Sequence, residues 1–160
     1  MDEDAIDFVV AAWREDGHWQ VSRLPRRTGL NHRSLIAALS AHPADNGVIG
    51  FVSVAEDFFI VARTHHRDSR FLLSDVAAAL DWPLASQVLE EMGLEQPDED
   101  DIDELMSAGD LTLLQDLGMG ASELAMLSED DELYPDEVLT AVANRLGFGA
   151  QFESLFEVHA

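Results

Sequence analysis

The residues of this chain that could do chemistry are its histidines and its many carboxylates, because it contains no cysteine. His65, His66 and Asp68 form a compact group whose side chains are of the kind that bind zinc. Adjacent side chains in an extended segment point to opposite faces, so the two histidines are poorly placed to share one metal. We interpret the group as a polar connection between two strands.

The acidic residues at 98–110 supply the oxygen ligands that calcium takes from a single loop. An EF-hand loop that began at Asp98 would need glycine at its sixth position, where this chain has Asp103. A loop that began within residues 129–137 lacks the same glycine. We interpret both segments as solvated runs of charge, and we predict no metal and no cofactor.

Motifs for nucleophilic catalysis and phosphate binding are also missing from the sequence. No serine lies in a G-x-S-x-G context, and no lysine follows Gly118-Met119-Gly120 as a phosphate-binding loop requires. Because the chain has no cysteine, thiolate metal sites and cysteine nucleophiles are excluded as well. We therefore predict that the protein is not an enzyme and assign no catalytic residue.

Charge is distributed unevenly along the chain. Residues 1–70 contain eight Arg and ten acidic residues, a net charge of −2, whereas residues 71–160 contain one Arg and 22 acidic residues, a net charge of −21. Such a surface repels phosphate, which argues against direct nucleic-acid binding, but it can attract a basic protein or simply maintain solubility. We predict a basic protein partner. The predicted partner-binding residues are Asp98, Glu99, Asp100, Asp101, Asp103, Glu104, Glu129, Asp130, Asp131 and Glu132.

Four of the nine arginines form the one basic cluster in the sequence: Arg23, Arg26, Arg27 and Arg33. The cluster could contact phosphate or the acidic half of the same chain. We predict pairing within the chain because the opposite charge is tethered nearby, although exposed pairs of this kind stabilise a protein little.

The composition favours a cytoplasmic protein. The absence of cysteine suits a reducing compartment, and the acidic residues 2–4 lack the positive charge of a secretory signal. No apolar run approaches the roughly 18 residues of a membrane span. We expect no membrane contact, and the sequence does not indicate an oligomeric state.

The elements that must position these side chains begin with β-prone runs. The turn Glu15-Asp16-Gly17 lies between two such runs and predicts a hairpin, and Asn31 is a good N-cap for the helix that follows. The resulting order ββαβββ predicts an α+β fold: an antiparallel five-stranded sheet with a covering helix, similar in element order to profilin and longin domains. The predicted strands are 5–14, 18–24, 48–54, 58–64 and 70–73, and the helix is 33–41.

Helical patterns dominate the second half of the chain. Residues 95–104 contain seven acids in ten positions, which is typical of a linker. We predict an α+β domain at residues 1–94, an acidic linker at 95–108 and a helical C-terminal unit at 109–160. The predicted C-terminal helices are 111–117, 121–127 and 135–146, followed by a short final helix.

Four segments of the chain resemble one protein family. They are FLLSDVAAAL at 71–80, the acidic middle, GDLTLLQDLGM at 109–119, and SEDDELYPDEVLTAVANRLGF at 128–148 with the terminal Phe/Leu segment. Together they resemble the tRNA adenosine deaminase-associated protein family of actinobacteria over nearly the whole chain. The resemblance implies an association with a tRNA adenosine deaminase, and it implies no catalytic residues.

An enzyme with dispersed catalytic residues stays an open alternative, and it would show a cleft in which the pKa of a His or a carboxylate is strongly shifted. Two further hypotheses of different class are preferred to it. The first is a non-catalytic acidic accessory protein that binds a basic partner such as a tRNA adenosine deaminase. The second is a small-molecule-binding sensor or scaffold, which would need a deep apolar pocket between the sheet and the helices.

Overall fold

The computed structural model describes residues 3–42, 47–65, 68–97, 107–130 and 132–156 of the 160-residue chain. Its centre is one antiparallel sheet with the strand order β2-β1-β3-β4-β5-β6. The predicted α+β class and antiparallel sheet are confirmed, whereas the predicted count of five strands is wrong because the described residues form a sheet of six. The strands are β1 (Ile6–Glu15), β2 (His18–Leu24), β3 (Val48–Val54), β4 (Phe58–His65), β5 (Asp68–Leu73) and β6 (Ala108–Gly109).

The additional strand, β6, is a two-residue strand on the outer edge of β5. Leu72 pairs with Gly109, and Leu73 pairs with Ala108, the last residue of the predicted linker. Gly109 has φ 128°, and a Cβ there would lie 2.3 Å from the Phe71 carbonyl oxygen, so only glycine fits. Two residues are too few to show the alternation from which strands are predicted.

The turn between β1 and β2 has the conformation that its sequence predicts. Asp16 and Gly17 are its two central residues, with φ values of 53° and 81°. Positive φ at both positions is the pattern of a type I′ turn, whose twist matches that of the flanking strands and which favours Asp-Gly.

One face of the sheet is covered by α1 (His32–Ser40), α2 (Pro83–Glu91) and a 3₁₀ helix at Val76–Leu80. The predicted N-cap is confirmed, because the Asn31 side chain accepts a hydrogen bond from the Ser34 N–H at 2.9 Å. Leu35 and Leu39 of α1 are fully buried against the sheet. This burial of apolar side chains stabilises the helix more than its intrinsic propensity does.

The opposite face is covered by α3 (Ala121–Ser128), α4 (Pro135–Leu146) and α5 (Gly149–Ser154). Phe152 is 2% exposed and packs edge-on against Phe51 of β3, with 5.7 Å between ring centroids. The C-terminal helices therefore share one apolar core with the sheet. With helices on both faces, the ends of the sheet carry its accessible turns.

Residues 111–117 do not form the predicted helix; they form turns and a short 3₁₀ helix at Gln115–Leu117. Arg63 of β4, which is 3% exposed, donates to the Leu113 carbonyl oxygen at 2.8 Å and makes two hydrogen bonds to the Asp116 carboxylate. The guanidinium thus holds this segment against the sheet. The Leu117 N–H donates to the Leu114 carbonyl at 3.0 Å, which is the hydrogen-bond pattern of a 3₁₀ helix.

Ion pairs join the two halves of the chain, and among the described residues they are made by arginines outside the predicted basic cluster. Arg63 pairs with Asp116, and Arg70, its cross-strand neighbour, lies 3.4 Å from Asp110. Within the described ranges no ion pair involves the four clustered arginines. Arg23 instead lies over the Phe156 ring, with its Cζ 5.1 Å from the ring centroid.

None of the helices in the described ranges has the length and apolar character that crossing a bilayer requires. The division into residues 1–94, 95–108 and 109–160 stays a prediction.

Candidate functional site

Two adjoining clefts lie at the end of the sheet where β1 begins, β3 turns into β4 and β5 ends. The first, here called the serine cleft, has a volume of about 290 Å³. The second, the phenylalanine cleft, has a volume of about 400 Å³ and shares Glu56 with the first. The serine cleft is lined by Glu56, Asp57, Phe59, Ser74, Asp75, Ser128, Asp130, Leu133, Tyr134, Pro135 and Val138. The phenylalanine cleft is lined by Asp7, Phe8, Glu56, Asp136, Thr140, Phe152, Glu153 and Phe156.

The wall between the clefts is the turn from β3 to β4, and its backbone is strained. Ala55 and Glu56 both have φ 53°, and the Asp57 N–H donates to the Val54 carbonyl at 2.9 Å, as in a type I′ turn. Neither residue is one of the Gly, Asn or Asp types that tolerate this conformation, which costs roughly 1 kcal/mol or more per residue. Strain of this kind is concentrated at functional sites, so this turn is a candidate for one.

Asp7 holds this turn in place. The register of β1 against β3 shifts between Ile6 and Phe8, which makes Asp7 the extra residue of a bulge. Bulges redirect a side chain out of the regular alternation. The Asp7 carboxylate accepts hydrogen bonds from the Glu56 N–H at 2.8 Å and from the Ser53 hydroxyl at 3.0 Å.

The opposite wall of the serine cleft is the end of β5. The Ser74 hydroxyl accepts a hydrogen bond from the Phe59 N–H at 2.9 Å, and the Asp75 carboxylate caps the following 3₁₀ helix by accepting from the Ala77 N–H at 3.0 Å. Burial raises the pKa of Asp75; the hydrogen bond from Ala77 opposes this effect, and the negative charge of Asp57 adds to it. Negative charge is therefore held here in a partly desolvated place.

Ser128, at the end of α3, gives this cleft an unsatisfied hydroxyl. The residue is 4% exposed and lines the cleft, and its Oγ has no hydrogen-bond partner among the described residues. Most buried side-chain hydroxyls in folded proteins are hydrogen-bonded, and leaving one unpaired costs about 1–3 kcal/mol. This exception is a place where a ligand atom could complete the bonding.

The amino end of α4 forms the mouth of the serine cleft. The Tyr134 side chain, with the residue 61% exposed, stands there, and Glu137 accepts a hydrogen bond from the Tyr134 N–H at 3.1 Å. The positive end of the helix dipole would oppose a cation, but Asp136 and Glu137 lie in the first turn and offset it.

The phenylalanine cleft combines an apolar floor with acidic walls. Phe8 and Phe152 are almost fully buried, and Phe156, 37% exposed, lies over both with ring-centroid distances of 4.9 and 5.2 Å. Asp136 of α4 and Glu153 of α5 flank these rings. An apolar floor with charged walls suits an amphipathic cation.

Both clefts are strongly acidic. Seven different carboxylates and no arginine occur among the described residues that line them. In the described part of the chain no three His, Asp or Glu side chains are placed to hold a metal. The charge of the clefts is therefore complementary to that of a cation. The seven are Asp7, Glu56, Asp57, Asp75, Asp130, Asp136 and Glu153.

Only part of the predicted partner-binding set can be located. Asp130 lines the serine cleft, and Glu129 and Glu132 are exposed beside it. The others lie outside the described residues, so their role stays a prediction: Asp98, Glu99, Asp100, Asp101, Asp103, Glu104 and Asp131.

Sequence reasoning missed the carboxylates at the ends of the strands. In a chain this acidic, no pair of carboxylates stands out by spacing, and Ala55-Glu56-Asp57 gives only a turn signal between the predicted strands 48–54 and 58–64. The turn itself offers one usable signal: Ala55-Glu56 occupies the centre of a tight turn, where Asn-Gly is the favoured pair, and such a mismatch is typical of a functional position.

Comparison with known proteins identifies the family. A family model described as Rv3753c-like tRNA adenosine deaminase-associated protein matches residues 7–149. The chain is also 32% identical to Protein Rv3753c of Mycobacterium tuberculosis (strain ATCC 25618 / H37Rv) over 151 residues, which cover 94% of this chain and 87% of that protein. No solved structure matches, so the likeness to profilin and longin domains stays a prediction. The resemblance inferred from the sequence is confirmed, and the chain belongs to the Rv3753c-like tRNA adenosine deaminase-associated protein family.

Proposed function

We propose that this protein is a non-catalytic accessory of a tRNA adenosine deaminase in the cytoplasm, and that it binds a basic surface of that enzyme through the serine and phenylalanine clefts. The observation that carries the proposal is the set of seven carboxylates that line the clefts, with no arginine among the described lining residues. The family description, tRNA adenosine deaminase-associated protein, supports a deaminase as the partner.

A tRNA-binding enzyme needs a cationic surface for the phosphate backbone of its substrate. The cleft carboxylates offer that surface an alternative set of negative charges, which can dock on it or compete with tRNA for it. Aromatic side chains at the mouth and floor of the clefts, such as Tyr134 and Phe156, add the contact area that favours short-range recognition.

The test is calorimetric titration of the purified deaminase with this protein at two ionic strengths. At 0.01 M salt the Debye length is about 30 Å, and at 1 M it is about 3 Å, so an electrostatic complex should form in the first buffer and weaken strongly in the second. Absence of binding at low salt refutes the proposal.

A matched pair of variants tests the site. The triple variant Asp57→Asn, Asp136→Asn and Glu153→Gln removes three charges from the clefts. Because each lost ion pair costs about 1 kcal/mol or less of binding free energy and 1.4 kcal/mol is tenfold in affinity, the variant should bind about tenfold or more weakly. Glu15→Gln, Glu90→Gln and Glu95→Gln together remove three exposed charges from outside the clefts and should have a much smaller effect. Equal effects of the two triple variants would place the interface elsewhere.

The phenylalanine cleft also supports a second candidate, the small-molecule sensor or scaffold. Its volume of about 400 Å³ and its three Phe side chains are typical of a small-ligand pocket. A thermal-shift screen with amphipathic cations separates the candidates, because a sensor should be stabilised by a compound in the absence of the deaminase.

A further inference from the structure

We propose that the serine cleft binds the guanidinium of one arginine side chain from the partner. The identity of that partner rests on the proposed function, but the arrangement of donors and acceptors that selects arginine can be tested without it.

The unpaired Ser128 hydroxyl points to a ligand in this cleft. The residue lines the cleft, and its Oγ is buried and has no hydrogen-bond partner within the described ranges. A hydroxyl oxygen has two lone pairs, and a guanidinium carries five N–H donors and no acceptor. A guanidinium donor that reached the Ser128 oxygen would therefore supply the hydrogen bond that it lacks among the described residues.

Four carboxylates on different walls surround the same space. Glu56 and Asp57 come from the β3–β4 turn, Asp75 from the end of β5, and Asp130 from the segment after α3. Two of them already have partners: Asp75 accepts from the Ala77 N–H and Asp130 from the Glu132 N–H. A ligand therefore meets several separated acceptors, each with spare lone pairs, and not one compact chelating group.

This spacing favours arginine over lysine or a metal ion. A metal would need three or more ligands converging on one point, and an ammonium is a compact, strongly hydrated charge. The planar guanidinium spreads its donors in several directions and sheds water more readily. Tyr134, which is 61% exposed at the mouth, offers an aromatic face of the kind on which guanidinium groups stack.

The experiment titrates the intact chain, labelled with ¹⁵N, with the short peptides acetyl-Gly-Arg-Gly-amide, its citrulline counterpart and its lysine counterpart. Citrulline has nearly the shape of arginine but no charge and one donor group fewer. We expect saturable shifts of amides around the serine cleft with the arginine peptide, affinity at least several-fold lower for the lysine peptide, and no saturation with citrulline. Equal binding of arginine and citrulline, shifts that map elsewhere, or no saturable binding of the arginine peptide overturns the proposal.

Two variants locate the contact. Ser128→Ala removes the hydroxyl, and Asp75→Asn removes a charge while keeping an oxygen to cap the 3₁₀ helix. Each variant should lower the affinity for the arginine peptide by about tenfold, as expected for the loss of one hydrogen bond to a charged group. Glu15→Gln, at the opposite end of the sheet, is the control and should leave the affinity unchanged. Unchanged affinity in both cleft variants overturns the proposal.

The results distinguish this inference from the proposed function. If the deaminase binds but the arginine peptide does not bind in the serine cleft, the accessory role stands and the proposed arginine-binding site is wrong. If the peptide binds in the cleft but the deaminase does not bind, the arginine-binding site stands and the partner is another protein.

Discussion

The pair between Arg63 and Asp116 gives the sharpest prediction about stability. Asp116→Asn would leave the guanidinium of Arg63, a residue that is only 3% exposed, with the Leu113 carbonyl but without its carboxylate. Breaking a fully buried pair costs about 3–5 kcal/mol. The Asp116 side chain is 54% exposed, so water reaches the vacated position and reduces the cost. We expect Asp116→Asn to lower the free energy of unfolding by about 1–2 kcal/mol.

Asp110→Asn is the matched control, because Asp110 pairs with Arg70 on the strand next to that of Arg63. Both side chains of this pair are exposed by more than a third, 42% for Arg70 and 35% for Asp110. Its cost should stay within about 0.5 kcal/mol, as for other exposed pairs. Urea denaturation of both variants at neutral pH, followed by circular dichroism, measures the difference. The reasoning is refuted if Asp116→Asn costs no more than Asp110→Asn.

The same pair predicts part of the acid dependence of stability. The hydrogen bonds from Arg63 lower the pKa of Asp116 below its ordinary value of 3.8, and the positive charge of Arg63 adds to this effect against the opposing effect of burial. A carboxylate whose pKa is lowered by folding stabilises the protein fully above 3.8, and this contribution is lost as the pH falls through the lowered pKa. The Asp116→Asn variant should lack this part of the acid dependence, which urea denaturation over a pH series would measure.

Three further substitutions test other parts of the structure by urea denaturation. Ala55→Asn should raise the free energy of unfolding by about 0.5–1 kcal/mol, because Asn tolerates the positive φ of this turn better than Ala; a loss of stability would contradict the strained geometry. Phe152→Ala should lower it by about 3–5 kcal/mol, since the ring is buried between α5 and the sheet, and a cost below about 1 kcal/mol would contradict a shared core. Asn31→Ala removes the N-cap of α1 and should cost about 1 kcal/mol, whereas Asn31→Ser should restore most of that stability.

The parts of the fold that follow local patterns could be predicted from the sequence. Asp16-Gly17 specifies its own turn, and Asn31 specifies the start of α1, because the relevant hydrogen bonds and φ values lie within a few residues. Strands β2 and β3 have the predicted bounds, since their β-prone runs lie next to clear turn signals.

The missed parts depend on contacts between residues distant in sequence. The segment 111–117 has the apolar spacing of a helix, but Arg63, some fifty residues earlier, binds the Leu113 carbonyl and the Asp116 carboxylate and holds the segment against the sheet. The clefts are likewise assembled from the start of β1, the β3–β4 turn and the segments beside α3 and α4. Their carboxylates could not be singled out along the chain, because only the antiparallel register brings Asp7 beside Glu56.

The helices that cover both faces of the sheet limit how this protein can change. Neither broad face is free to accommodate a new ligand, and the chemistry of the clefts is carried largely by turn and strand-end side chains that contribute little to packing. Substitutions there alter recognition without disturbing the interior. A lineage with this scaffold can therefore acquire different binding preferences one loop residue at a time, while its folded state stays the same.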